Sequence, residues 1–140
     1  MPTAIKETVL VQALEAAVTG DDSLLDETFT EDVVGWSPNL AVTSRAELAE
    51  EFGDRHDVLS NIVISFDAVY IIGENAIAEW RIGADFTGPL AVGDDVTIEP
   101  TGNRVVLAGA TFAEFRGDLI SAFRNYFDDA ALLEQLLLQD

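Results

Sequence analysis

The apolar positions of this chain change period once, near residue 60. Before that point they recur at helical spacing. Ile5, Val9, Leu10, Leu14, Ala17 and Val18 form one stripe, with Thr3 as the expected cap and Gly20 as the stop. Ser23-Leu24-Leu25-Asp26 has the form of a capping box and predicts a short helix ending near Phe29. Val33 to Trp36 predicts a brief extended stretch, broken by Pro38. A cleaner capping box, Ser44-Arg45-Ala46-Glu47, predicts a third helix to Phe52, stopped at Gly53.

Beyond that point the chain reads as strands. Asn61 to Ile72 is rich in Ile, Val, Phe and Tyr and ends in a Gly73-Glu74-Asn75 turn. Ala76 to Thr87 follows, then a polar connection from Gly88 to Gly102. Arg104 to Phe115 and Leu119 to Phe127 predict a second hairpin around Arg116-Gly117-Asp118, and Asp129 is the expected cap of a last helix, Ala130 to Leu138. Helices first and then four long strands in hairpins predict an α+β fold with an antiparallel sheet over residues 1–140 as one domain. Ala78, Trp80, Ile82, Ala84 and Phe86 alternate with Glu79, Arg81, Gly83 and Asp85. The apolar set should face the helices and any pocket, and Arg81 and Asp85 the outside.

Composition narrows the function. The 140 residues carry 26 acidic and 7 basic side chains, a formal −19. Such a surface repels phosphate backbones and anionic lipid, which argues against nucleic-acid and membrane partners. The acidity, with Lys6 the single lysine, reads as solubility and codon usage more than as adaptation to salt. There is no cysteine and one histidine, so disulfides and thiolate sites are excluded and a metal site is not expected. The singly scattered glycines form no phosphate loop or dinucleotide fingerprint. No secretory leader or membrane-spanning run is apparent, and the expected compartment is the cytoplasm.

Several motifs in the second half stand in a recognisable order. Trp80 leads to Thr87-Gly88-Pro89-Leu90. Glu99-Pro100-Thr101-Gly102 precedes Val105-Val106-Leu107-Ala108-Gly109, and Tyr126-Phe127-Asp128 precedes Leu132-Leu133-Glu134-Gln135-Leu136. In this order the chain resembles the SnoaL-like polyketide cyclases of the NTF2-like superfamily. The resemblance implies a cone-shaped half-barrel, a homodimer through the sheet, and cofactor-free acid–base chemistry on an apolar, polyketide-like carbonyl substrate. Two positions depart from the pattern. Phe86 stands where the family often has the histidine of Thr-His-Thr-Gly, and His56-Asp57 replaces Pro-Asp.

The resemblance makes Asp128 the expected general acid/base, with Tyr126 and Asn125 as hydrogen-bonding helpers. Burial among apolar walls would raise the pKa of such a carboxyl and suit it to proton transfer near neutrality. The plainer role for Asp128 or Asp129 is to cap the last helix. If Asp128 points inward, so do Tyr126 and Arg124, with Asn125 and Phe127 outward. Trp36, Trp80 and Phe86 are expected as apolar wall, and His56 as a residue at the pocket mouth. Two alternatives stand beside the cyclase or isomerase: a non-catalytic ligand-binding or dimerisation module, and an epoxide hydrolase of the limonene-epoxide-hydrolase type. The latter would need Arg81, Asp85 and Asp128 together.

Overall fold

The computed structural model describes residues 2–38, 40–55, 58–92 and 95–137. The chain begins with α1 (Pro2–Thr19), α2 (Leu25–Thr28), β1 (Phe29–Ser37), β2 (Leu40–Val42) and α3 (Arg45–Arg55). Then come β3 (Leu59–Ile72), β4 (Asn75–Phe86), β5 (Leu90–Val92), β6 (Val96–Ile98), β7 (Arg104–Arg116), β8 (Leu119–Phe127) and α4 (Asp129–Leu137). Six strands form one curved sheet in the order β2-β1-β8-β7-β4-β3, while β5 and β6 pair only with each other. The architecture is α+β, as the change of period predicts.

The local signals explain most boundaries. α1 ends at Gly20, whose φ of +76° lies where a side chain would be strained. The N–H of Glu47 donates to Ser44 Oγ at 3.1 Å, so Ser44 caps α3 as expected. The Glu47 carboxylate reaches back to the N–H and hydroxyl of Thr43, at 2.7 and 2.8 Å, instead of to Ser44. These bonds hold its pKa below the usual carboxylate value.

Four expectations need correction. Pro2 already lies in α1, so Thr3 is inside the helix and not its cap. Ser23 does not cap α2: Leu24 holds the N-cap position and no side chain makes a cap bond there, while the Ser23 N–H donates to the Asp21 carboxylate at 2.9 Å. α3 runs through Gly53 to Arg55. The sheet is also not wholly antiparallel: β1 runs parallel to β8, with Gly35 opposite Phe123 and Trp36 opposite Arg124. No hairpin links these two strands, since β1 enters the sheet early and its neighbour comes from the far end of the chain.

The core follows the alternation. Ala78, Ala84 and Phe86 are at most 1% exposed and Trp80 is 5% exposed, all on the inner face of β4. Ala78 and Trp80 belong to the larger of two apolar clusters and Phe86 to the smaller. The larger joins α1, α3 and the sheet through Leu10, Leu48, Phe52, Val33 and Ile120. The smaller gathers Val58, Phe86, Val105 and Leu136 where α4 and the β5–β6 hairpin meet the sheet. Gln135 ties α4 down. Its amide accepts from Val106 N–H and donates to Val106 C=O, both at 2.8 Å. This satisfies an edge of β7 beyond the last β8 pairing, which is Phe127 with Gly109.

Candidate functional site

Between the inner face of the sheet, α1 and α4 lies a cavity of about 220 Å³. α1 contributes Leu14, Ala17 and Val18, β4 contributes Trp80, Ile82 and Ala84, and β7 contributes Val105 and Leu107. Asn125 and Phe127 come from β8, Leu132 and Leu136 from α4, and Ser37, Val58, Leu59, Ile64 and Leu90 complete the wall. The lining thus draws on both apolar clusters. None of these residues carries an ionisable side chain.

The polar groups are organised as a chain. The Trp80 indole N–H donates to Thr111 Oγ1 at 2.9 Å, and the Thr111 hydroxyl donates to Asn125 Oδ1 at 2.6 Å. Thr111 is 2% exposed, so an unpaired hydroxyl or indole N–H here would cost about 1–3 kcal/mol. The indole fits because Gly109 leaves bare backbone beneath it; a methyl there would lie 2.5 Å from Trp80 Cη2. A smaller cavity of about 30 Å³ lies beside this chain and includes Thr111 in its wall, with Leu14, Ala17 and Asn125 bordering both cavities.

The expected site residues are distributed differently from the sequence reading. Trp80 and Asn125 line the cavity. Phe86 is fully buried one layer behind the wall, packed in the cluster of Val58, Val105 and Leu136. Trp36 and Tyr126 are 44% and 50% exposed, with ring centroids 5.4 Å apart. They lie on the outer face, because Phe123, Asn125 and Phe127 take the inner parity of β8 and leave Arg124 and Tyr126 outside. The expectation of an inward Tyr126 and an inward Trp36 is therefore corrected. His56 lies outside the described residues.

Asp128 does not reach the cavity. It is exposed, and its Oδ1 accepts the Ala131 N–H at 3.0 Å while its carbonyl accepts the Leu132 N–H at 3.1 Å. Those are the bonds of an N-cap, so Asp128 holds the place expected for Asp129. The cause is where the strand ends. β8 stops at Phe127, and Asp128 is the residue from which the free N–H groups of the first turn can be reached. Asp129 is the first residue of α4 and does not line the cavity either.

The carboxylate–arginine–carboxylate set is not assembled. Arg81 and Asp85 occupy the outer face, as the alternation of β4 predicts. Arg81 pairs with Asp67 at 2.8 Å, and Asp85 accepts from Asn61 at 2.8 Å and from Arg104 at 3.2 Å. The Asn61 amide and then the Arg104 guanidinium hold the Asp85 pKa below its ordinary value. Among the described residues, no three His, Asp or Glu side chains gather as metal ligands. No described helix is long and apolar enough to cross a membrane.

Thr111 was missed in the sequence, although its signal was present. Val105, Leu107, Thr111, Ala113 and Phe115 share one parity of β7, which places the threonine on the inner face.

Residues 10–123 match the model of the SnoaL-like domain. The chain belongs to the SnoaL-like family. No curated protein is significantly similar to it in sequence. Among solved structures, this SnoaL-like chain is similar to a candidate SnoaL-like polyketide cyclase from Jannaschia sp. CCS1, with a TM-score of 0.80 and 16% identity over 98% of this chain and 94% of that one. It is also similar to IdmH, a candidate polyketide cyclase from Streptomyces antibioticus, with a TM-score of 0.74 and 15% identity over 95% and 99% of the two chains. An epoxide hydrolase from M. tuberculosis resembling limonene epoxide hydrolase gives a TM-score of 0.70 and 14% identity over 96% and 90%. At these identities the likenesses establish the NTF2-like fold.

Proposed function

We propose that this protein binds a one- or two-ring, mostly apolar small molecule bearing one oxygen function in the 220 Å³ cavity. The observation that carries this reading is the lining itself: apolar side chains from seven elements around a single amide, Asn125, with the Ser37 hydroxyl as the other polar side-chain oxygen. The volume sets the size class. An apolar cavity of about 150 Å³ accommodates benzene, and drug-sized ligands occupy roughly 300–1,000 Å³. Burial supplies the affinity, since about 200 Å² of apolar ligand surface contributes on the order of 5 kcal/mol.

Membership of a family with cyclase-like relatives favours a second reading, in which the bound molecule is closed or isomerised without a cofactor. Holding a flexible substrate folded lowers the entropic part of such a barrier. A hydrogen bond from Asn125 to a carbonyl oxygen would stabilise negative charge developing there. Proton transfer is the step that this cavity supports least, because its described lining has no acid or base.

We also assign the outer face of the sheet to a homodimer. Trp36, Arg124, Phe112, Ile77 and Tyr70 form a continuous row across β1, β8, β7, β4 and β3. Arg124 lies over the Phe112 ring at 4.5 Å, and Trp36 and Tyr126 meet beside it. Exposed Val63 and Val106 lie further along the same face, level with Gly83 and beyond Glu79 and the Arg81–Asp67 pair, and covering the aromatic row with a second copy removes it from water.

The test is a ligand screen against the folded protein with one- and two-ring ketones, esters and hydrocarbons, read by thermal shift and by protein-detected NMR. Chemical-shift changes at Leu14, Ile82, Leu107 and Leu132 are the expected result. Binding confined to the outer face, or no binding by any of these compounds, overturns the reading.

A further inference from the structure

We infer that the Trp80–Thr111–Asn125 hydrogen-bond chain is a positioning relay that fixes the Asn125 amide as a donor, so the cavity selects ligands presenting an acceptor oxygen. This rests on the reading of the cavity as a ligand site and names the chemistry that site accepts.

The direction of the relay follows from its first member. An indole N–H can only donate, so Thr111 Oγ1 is the acceptor at 2.9 Å. That uses one hydroxyl lone pair and leaves the hydroxyl hydrogen in need of a partner, because Thr111 is 2% exposed. The Asn125 amide supplies it. The 2.6 Å separation is short for an N–H···O bond and ordinary for O–H···O, so the atom facing Thr111 is Oδ1. With Oδ1 committed, Nδ2 is the amide atom left for the contents of the cavity, and it has no protein partner among the described residues.

Two consequences follow for specificity. A ketone, ester or ether oxygen placed beside Asn125 meets an N–H already pointing at it, with no reorganisation of the protein. A molecule offering only an N–H meets a second donor, and both groups go unpaired inside an apolar wall. Thr111 need not touch the ligand. It acts through Asn125 and is a positioning residue.

Three bicyclic probes of nearly equal size separate the cases: 1-indanone presents an acceptor, indole presents a donor, and indane presents neither. Their Kd values are measured by NMR titration for the wild type, Thr111→Val, Thr111→Ser and Asn125→Leu. The indole-to-indanone Kd ratio is compared between variants, so the probes' different hydration cancels. Asn125→Leu should lower this ratio by about 5-fold or more, the effect of removing one buried donor–acceptor mismatch. Thr111→Val leaves the amide free to turn over. It should lower the ratio similarly, by strengthening indole binding, while leaving indane within about 2-fold of wild type. Thr111→Ser keeps the hydroxyl and should keep the wild-type ratio.

A ratio unchanged in either Thr111→Val or Asn125→Leu overturns the relay while leaving the binding site standing. If Thr111→Val does not fold, Thr111→Ala removes the same hydroxyl and decides in its place, with the same expected and overturning results. If no probe binds the folded wild type, the cavity reading and the relay fall together.

Discussion

Two glycine-to-alanine substitutions should have opposite signs, and the cavity wall decides which is which. Gly109 sits on β7 beneath the Trp80 ring. A methyl added there would lie 2.5 and 2.6 Å from two indole carbons and 2.7 Å from the Tyr126 carbonyl oxygen. The indole could swing away, but the carbonyl belongs to the β7–β8 ladder and cannot. Forcing a methyl into a filled core costs about 1–3 kcal/mol. Displacing the indole also strains its bond to Thr111, a further loss of about 1 kcal/mol. Gly109→Ala should therefore destabilise by about 2–4 kcal/mol, which for a chain of this size lowers Tm by roughly 6–16 °C. Gly53 lies exposed within α3, with nothing within 4 Å of an added methyl. Gly53→Ala should stabilise by about 0.5–1 kcal/mol, because alanine loses less backbone entropy in a helix. Urea and thermal unfolding followed by circular dichroism measure both. A Gly109→Ala protein melting within about 2 °C of wild type would refute the packing of Trp80 on the β7 backbone.

Asp128→Ala should cost about 1 kcal/mol by removing the α4 cap, and Asp128→Asn much less, with ligand affinity unchanged in the latter; abolished binding in Asp128→Asn would return Asp128 to the cavity. Ligand affinity should be flat from about pH 5 to 8, since no described lining residue titrates, whereas an inflection near 6.5 would implicate His56, the one histidine. Stability follows a different course. The pKa values of Asp32, Glu47 and Asp85 are lowered, chiefly by bonds from Arg116, Thr43 and Asn61, so their stabilising contribution is present above the unfolded values near 4 and is lost as pH falls through the native ones. A melting temperature that keeps rising below pH 3 would contradict that sign. Sedimentation at micromolar concentration should give twice the chain mass, and Trp36→Glu should halve it; a wild-type monomer would show that the outer face stays wet. Raising salt to about 0.5 M shortens the screening length to roughly 4 Å and should raise Tm by relieving repulsion within a −19 chain, whereas a flat response would mean the carboxylates are too dispersed to repel.

The fold was legible because alternation and helical spacing are repeated many times along the chain. One side chain out of register does not change the pattern of β4, where Trp80, Ile82, Ala84 and Phe86 agree with one another. The site was less legible because it depends on single residues at the ends of elements. Whether Asp128 or Asp129 caps α4 turns on a one-residue difference in where β8 stops. The same step decides whether Asn125 or Tyr126 faces inward. Phe123 and Phe127 were the better guide, since two aromatic residues flanking Asn125 at spacing two place the amide on the face they bury. Trp36 was misplaced for a related reason. Its size suggested a core position, but β1 pairs with β8 at Arg124, and a residue level with an outward arginine is itself outward.

The placement of the acids carries its own argument. Of 26 carboxylates, none of those described borders the cavity, although carboxylates decorate the outer strands and the termini of helices. A charged carboxylate moved into this wall would lose hydration that no described cation nearby restores: Arg81, Arg104, Arg116 and Arg124 are each paired with an acid on the exposed surface. An amide can offer a hydrogen bond in the same place without that loss. Asn125, held by Thr111 and Trp80, is thus the polar group that this apolar wall can keep at neutral pH without a counter-charge. On the proposed reading, a ligand reaching it would match the amide donor and otherwise fit a wall that is apolar apart from the Ser37 hydroxyl. Recognition of that kind would pair shape selection with the Asn125 hydrogen bond, and it would be independent of the charge that dominates the rest of the molecule.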